Sequence, residues 1–286
     1  MKKLLIFGAA GMAGHVAATV LQNTGEYQVI RCARSVSDSA EIGVDITDSA
    51  AVRKILRCQK PDYVLNCVGM LVAACSARPD QAILVNSYFP NFLAKLGAEL
   101  NYRLIHISTD CVFSGARGGY REEDFRDGDT PYARTKALGE IIDDRNLTIR
   151  TSIIGPELKA NGTGLFHWFM QQHGVIRGYT RAFWSGVTTL ELAKVVHAAI
   201  QQELSGLYQL TMPEKISKYD LLGLFKELWK RDDITIEPFD GYFCDKSMIC
   251  TRKDFSYKLP TNYHAMLRTM KVWMEENRIH DSSITG

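Results

Sequence analysis

The chain has 286 residues, with 34 Lys and Arg against 32 Asp and Glu, a formal net charge of +2 and 46% hydrophobic side chains. Such a length buries a sizeable core without staples and holds one large α/β unit or two unequal domains, while the balanced and scattered charge excludes the basic face that nucleic acid or an anionic membrane would demand. The seven cysteines (32, 58, 67, 75, 111, 244 and 250) are odd in number, dispersed and without a C-x-x-C pair, which argues against a disulfide framework or a zinc site and for a reducing cytoplasm.

At the amino end, "MKKLLIFGAAGMAGHVAATVL" joins two lysines to an apolar run, as a secretory leader does. Three spaced glycines and His15 break the apolar centre that a leader needs, so the stretch reads as a strand, a turn and a helix. Nowhere does the chain reach the roughly 20 apolar residues of a membrane span, and a soluble, cytoplasmic protein is expected. Short apolar runs recur at 3–8, 27–33, 62–69, 102–108 and 147–154. Their near-continuous apolar character is that of strands buried on both faces of a parallel sheet. The stretches 14–25, 49–60 and 85–101 between them read as crossover helices, and the alternation predicts a doubly wound α/β fold with right-handed crossovers.

Beyond about residue 155 the texture changes to a Gly-rich, aromatic segment (162–186) that reads as a covering surface. A helix follows at 188–204, then "GLYQLT" as a strand, "SKYDLLGLFKELWKR" as a helix capped by Ser217, "DITIEPFD" as a strand and "TNYHAMLRTMKVWMEENR" as a last helix. The tail "HDSSITG" is expected to fray. This divides the chain into a first domain over 1–155, to which the helix at 187–204 returns, and a smaller α/β substrate lobe made of 156–186 and 205–286.

Gly8, Gly11 and Gly14, in "FGAAGMAGH", follow the first strand and, with Met12, open the first helix. Glycine there lets the chain turn tightly, lets a diphosphate approach the backbone and lets helix pack on strand, while the helix amino end offers amide donors and a positive dipole. In this strand-turn-helix setting the pattern points to a dinucleotide. The second strand ends in "RCARS", with Arg31 and Arg34 and no carboxylate before Asp38. A 2′-phosphate is therefore the expected partner and NADPH the expected cofactor, with NADH as the alternative; two solvated arginines are the plain reading. Asp45, followed by Ile46, could accept from an adenine amino group or cap the next helix. "NCVGM" (66–70) places Val68 and Gly69 where a nicotinamide ribose needs room, and "HISTDCVFSG" (106–115) ends a strand on Ser108, Thr109 and Asp110 at the edge where open α/β sheets bind ligands. "TPYARTK" then starts a helix with Tyr132 and Lys136 on one face.

In this order, G-x-x-G-x-x-G, S-T-D-x-V-F-x-G and Y-x-x-x-K resemble the extended short-chain dehydrogenase/reductase superfamily, and "STDCVFSG", "ARTKALGE" and "IRTSIIG" resemble its dTDP-4-dehydrorhamnose reductase branch. The likeness covers about residues 2–155 and, less closely, "WSGVTTLELAKVV". It implies a Rossmann domain holding NADP(H) and a catalytic Thr109, Tyr132 and Lys136, with Ser108 as the fallback for Thr109. An unperturbed phenol, with a pKa of about 10, is a poor proton carrier near neutrality; Lys136, one turn away, would lower it and also hold the nicotinamide ribose. Thr109 would hold the carbonyl oxygen while hydride passes to the C4 ketone of a nucleotide-linked 4-keto-6-deoxy sugar and Tyr132 protonates the alkoxide.

Two departures bear on the sugar. Ile153 stands where the branch usually carries an aromatic that packs on it, and Tyr-Ala-Arg-Thr-Lys replaces Tyr-Gly-x-x-Lys. The nucleotide, dTDP, UDP or another, stays open with the sugar. On the substrate side, Arg177, Arg181 and Arg252 are candidates for a diphosphate and Trp184 for stacking on a base or sugar, with ordinary surface or packing roles as the alternatives. Competing readings are an epimerase or dehydratase of the same superfamily, which Asp110 without a following Glu fits poorly, and a non-catalytic cofactor-binding regulatory subunit, against which the intact Thr/Tyr/Lys set argues. No metal is called for, and a monomer or homodimer is expected.

Overall fold

The computed structural model describes residues 1–37 and 39–279; Asp38 and the "HDSSITG" tail lie outside the described residues. The chain opens with β1 (Lys2–Phe7), an inner strand whose residues Leu4 to Phe7 are fully buried. Leu4 and Ile6 face one apolar cluster, Leu5 and Phe7 the other. Burial on both faces is why this run is apolar without alternation. There follow α1 (Met12–Asn23), β2 (Tyr27–Ala33), β3 (Ile42–Gly43), α2 (Ser49–Gln59) and β4 (Tyr63–Asn66). Next come α3 (Val72–Ala77), α4 (Pro79–Ala82), a π-helical turn (Ile83–Tyr88) and α5 (Phe89–Leu100), then β5 (Arg103–Thr109), α6 (Pro131–Leu138), β6 (Leu147–Thr151) and β7 (Ile153–Ile154).

The uninterrupted helix expected over 85–101 is broken for a covalent reason. Pro90 has no N–H to give the Asn86 carbonyl. The Phe89 amide bonds five residues back to the Leu84 carbonyl, which is the π pattern, and Gly139 fits against the Asn86 carbonyl so closely that a Cβ there would collide with it.

The second half comprises α7 (Leu165–Met170), β8 (Gly174–Tyr179), β9 (Ala182–Trp184), β10 (Val187–Thr188), α8 (Thr189–Gln201), β11 (Gly206–Leu210), β12 (Ile216–Ser217), α9 (Lys218–Trp229), β13 (Ile234–Phe239), β14 (Cys244–Asp245) and α10 (Tyr263–Glu276). As the sequence indicates, Ser217 caps α9 by accepting from the Asp220 amide. The main sheet has seven parallel strands in the order β3-β2-β1-β4-β5-β6-β11. Its strand order reverses between β1 and β4, the switch point at which doubly wound sheets open a crevice for ligands.

Strand 206–210, read from the sequence as part of the lobe, instead completes this sheet. Its register on β6 runs from Gly206 opposite Leu147 to Leu210 opposite Thr151, and it pairs a backbone edge of β6 that would otherwise be bare. The lobe keeps the parallel pair β8 and β13, backed by α9, and the small sheet β12-β9-β14. Phe166, Phe169 and Phe225 of the lobe belong to the same apolar cluster as α1 and α8, so lobe and sheet share one core. Among the described residues no helix is long and apolar enough to cross a membrane.

Candidate active site

The Gly-rich turn after β1 is shaped by steric necessity. Gly8 has φ +83°, and a Cβ there would lie 3.0 Å from the Cys67 carbonyl carbon; a Cβ on Gly14 would collide with the Gly8 carbonyl. The amino end of α1 carries no side-chain cap and no carboxylate in its first turn, which leaves its amides and dipole to an anion. Met12 opens the helix, and His15 Nε2 lies 2.9 Å from the Pro156 carbonyl oxygen, tying α1 to the segment after β7.

At the end of β2 the two arginines part company. Arg31 bonds Gln22 and lies 3.6 Å from the Glu41 carboxylate, whereas Arg34 is exposed. Asp45 accepts from the Thr47 amide at 2.9 Å and hydroxyl at 2.8 Å; these bonds, and then Arg34, hold its carboxyl below the usual range. The cap of α2 is Asp48 and not Asp45. Ile46 and Val68 pack against the second apolar cluster. Beyond β4, the Asn86 carboxamide accepts from the Met70 amide at 2.8 Å, donates to the Met70 carbonyl at 3.0 Å and to Thr135 Oγ1 at 3.2 Å. Asn86 thus fixes the loop that contains Gly69 to the helix that carries Tyr132. Sequence reasoning passed over Asn86, although Pro90 four residues on was the sign that this helix must open there.

Thr130 caps α6 by accepting from the Ala133 amide at 3.1 Å, and Pro131 starts it. That start brings Tyr132 to the end of β5. Burial pushes its phenol well above the ordinary tyrosine value and the neighbouring Cys111 adds to this, while a hydrogen bond with Thr109 pulls the other way. Burial also lowers Lys136, to about 8, against the opposing pull of Glu140; its ammonium donates to the Ile107 carbonyl at 2.7 Å. The phenol is therefore not depressed by Lys136 as the sequence reading expected: desolvation is the larger influence, and the ammonium is turned to the β5 backbone. Thr109 Oγ1 accepts from the Cys111 amide and donates to the buried Asp110 carboxylate, both at 3.1 Å.

Ser108 faces away from this centre. Its hydroxyl donates to Glu140 at 2.7 Å, and Glu140 in turn takes a two-pronged pair from Arg150, at 2.9 and 2.8 Å, and a bond from Arg126 at 3.0 Å. Arg150, 1% exposed, continues to Gln209 at 3.0 Å, and Gln209 donates to the Tyr120 and Ile249 carbonyls. Burial would raise Glu140, but Arg150 first, then Ser108 and Arg126, outweigh it and hold the carboxyl low. This network joins β5, α6, β6, β11 and the lobe beneath the site. Both charged partners lie in quoted motifs, "ARTKALGE" and "IRTSIIG", yet nothing in their spacing announces that they pair.

The substrate-side candidates separate. Ile153, partly buried on β7, lies two residues past Thr151 at the carboxyl edge. Arg181 stacks on Phe243 at 5.4 Å and Arg177 on Phe239 at 5.2 Å, both on the lobe. Trp184 is buried with its ring 5.5 Å from Tyr263; packing has consumed the face that was to stack on a ligand. Arg252 donates to the Ser205 and Leu207 carbonyls and pairs with Asp254. That is the amino edge of β11, across the sheet from Thr109, so Arg252 is a structural tie and not a diphosphate ligand. Lys246, absent from the sequence reading, reaches within 3.5 Å of Cys111 Sγ.

Residues 1–246 match the family described as the RmlD substrate binding domain. A dTDP-4-keto-6-deoxy-D-glucose reductase of Streptomyces niveus is 27% identical over 256 residues, 82% of this chain and 81% of that protein. A dTDP-4-dehydrorhamnose reductase of Aggregatibacter actinomycetemcomitans is 32% identical over 164 residues, and there the match spans about half of each chain, 53% and 51%. Among solved structures, a dTDP-4-dehydrorhamnose reductase from Clostridium acetobutylicum superposes with a TM-score of 0.78 at 23% identity, covering 96% of this chain and 99% of that one. A Bacillus anthracis counterpart in complex with NADP gives 0.74 at 20% identity, over 87% and 90%. At such identities the likeness establishes the doubly wound fold.

Proposed function

The chain belongs to the RmlD substrate binding domain family, and from that membership we propose that it reduces the C4 ketone of a nucleotide-linked 4-keto-6-deoxy sugar with NADPH, for the biosynthesis of surface-polysaccharide sugars. The observation that carries this reading is the meeting of Thr109 and a desolvated Tyr132 at the carboxyl edge of the sheet, with Lys136 one helical turn on. The relatives named for reductases of dTDP-linked sugars support dTDP as the nucleotide.

The turn from Gly8 to Gly14 fits a dinucleotide diphosphate, because a side chain at position 14 would block the close approach of backbone and helix, and no carboxylate stands in the first turn of α1 to repel phosphate. Arg34, exposed at the end of β2, supports a 2′-phosphate, and hence NADPH over NADH. When bound, the reduced nicotinamide supplies the hydride.

Tyr132 supplies the proton. Reduction needs the neutral phenol, and burial holds Tyr132 in that form at all physiological pH values. The alkoxide that forms as the C=O bond opens is the stronger base, so the proton runs from phenol to substrate and solvent later restores it. Lys136 would hold a ribose hydroxyl of the bound cofactor with a hydrogen not given to the Ile107 carbonyl, and with a pKa of about 8 it keeps a donor hydrogen whether charged or neutral. Ser108, spent on Glu140, supports the strand end and leaves the carbonyl to Thr109 and Tyr132.

Mixing the protein with NADPH and a panel of dTDP- and UDP-linked 4-keto-6-deoxy sugars tests the reading through loss of NADPH absorbance. Turnover of a dTDP-linked member is the expected outcome. No turnover of any member by a protein that binds NADPH would overturn it and favour a regulatory subunit.

A further inference from the structure

One side chain of the lobe reaches the reacting centre, and its hydrogen-bonding capacity is largely unspent. Lys246 directly follows β14, whose Cys244 and Asp245 pair with Ala182 and Phe183 of β9. That short strand is clamped on both sides: the Asp245 amide donates to the Gly115 carbonyl at 2.7 Å, and its carboxylate accepts from Lys215 and from the Ser247 amide. The Lys246 stem is thereby laid over the turn that follows β5, with its Cγ 3.0 Å from where a Cβ on Gly115 would sit. The ammonium ends 3.5 Å from Cys111 Sγ. Among the described residues this thiol is the one hydrogen-bond acceptor it meets, and a weak one, although an ammonium has three hydrogens to give.

The surroundings are those of the chemistry. Cys111 and Asp110 both act electrostatically on the Tyr132 phenol, and Asp110 holds the Thr109 hydroxyl hydrogen. A buried carboxylate at this place would repel the negative charge that gathers on a carbonyl oxygen during reduction, and Thr109, whose hydroxyl hydrogen is turned to Asp110, must release that bond before it can donate to the same oxygen. Burial raises the Asp110 carboxyl above its ordinary value, and Lys246 is the first of the groups that pull it back toward the ionised form. Burial would favour the neutral form of Lys246, but Cys111, Asp110 and Cys244 together outweigh burial and keep it protonated.

We propose that Lys246 is a substrate-contacting residue of the reduction, its ammonium binding the sugar oxygens at the reacting end and offsetting the Asp110 carboxylate as the alkoxide forms. The inference rests on the reductase reading above, and the test separates the two. Wild type, Lys246→Met and Lys246→Arg are assayed with NADPH and the member of the dTDP- and UDP-linked sugar panel that wild type turns over fastest, with melting temperature and NADPH affinity, read by fluorescence titration, followed in parallel. Losing a donor that acts on developing charge lowers kcat by roughly 10²-fold, so Lys246→Met is expected to fall by about that factor, mainly in kcat. Lys246→Arg should recover to within about tenfold of wild type, since it restores the charge but not the compact head. NADPH affinity should stay within about twofold for both variants, a readout that a generally damaged fold would not spare. Active wild type with a Lys246→Met variant within about threefold of it overturns the inference and leaves the reductase reading intact. A parallel loss of NADPH affinity and melting temperature overturns it in favour of a structural role, and an inactive wild type removes the reading on which it stands.

Discussion

The sheet half of the site and the lobe that covers it are built on different principles. In the sheet half each functional group is placed by its immediate neighbours in the chain. Gly8 and Gly14 shape one turn, Thr109 and Asp110 end one strand, and Thr130 and Pro131 start the helix that carries Tyr132 and Lys136. In the lobe, function depends on which of several similar side chains the tertiary structure leaves free. Of its arginines and tryptophan, Arg252 and Trp184 are consumed by backbone ties and packing, whereas Lys246, with no motif around it, arrives at the turn after β5 from a distant segment. Chemistry encoded by local geometry can be found by spacing; chemistry delivered by a lobe must be found by burial and by counting unmet donors.

The most severe way to break the contrast is at its local end. Tyr132→Phe keeps the ring and removes the proton, so kcat should fall by roughly 10²- to 10⁴-fold while NADPH affinity, read by fluorescence titration, holds. A variant that retains more than about a tenth of the wild-type rate would show that the spacing of Tyr132 and Lys136 had been over-read.

A smaller effect is expected beneath the site, where local and distant parts are joined. Glu140→Gln leaves the Arg150 guanidinium, 1% exposed, without its charge partner, and breaking a buried pair on one side costs about 3–5 kcal/mol. The melting temperature should drop by roughly 10 °C. Because the folded state holds Glu140 below its unfolded value, the stability it confers is fully present above the unfolded carboxyl pKa of about 4.3 and is lost as pH falls through the lower folded value. The gap between wild type and variant should therefore be constant at neutral pH and close progressively in acid, as thermal melts across that range would record. A gap that stays open in acid would mean that Glu140 acts through shape and not charge.

What could be read in advance follows the same division. The continuous apolar runs identified the strands of the main sheet, because burial on both faces leaves no room for polar alternation. Strand 206–210 went to the wrong unit because its five residues say nothing of which edge they join; only the bare side of β6 decides that. The break at the π turn was implicit in Pro90, but its purpose, turning Asn86 toward Met70 and Thr135, needed the third dimension. Ser108 and Thr109, adjacent in sequence and alike in chemistry, could not be told apart until alternation along β5 sent one hydroxyl to Glu140 and left the other beside Tyr132.

The finest test asks whether exposure, the criterion that sorts the lobe residues, also sorts two arginines inside the locally encoded half. Arg31 and Arg34 lie three positions apart on the same strand end and were read alike from the sequence. The structure spends Arg31 on Gln22 and Glu41 and leaves Arg34 exposed near Asp45. A charge-assisted bond from Arg34 to a 2′-phosphate contributes about 1.5–3 kcal/mol, and because the site is open to water the lower end applies, which amounts to roughly tenfold in affinity. Arg34→Ala should therefore weaken NADPH by about that factor and leave NADH unchanged, whereas Arg31→Ala, whose guanidinium already has partners, should alter the ratio of the two affinities by less than about threefold. Titrating both cofactors against both variants decides it: equal effects of the two substitutions would mean that Arg31 leaves Glu41 when the phosphate arrives, and that exposure in the sheet half is not the guide to function that it is in the lobe.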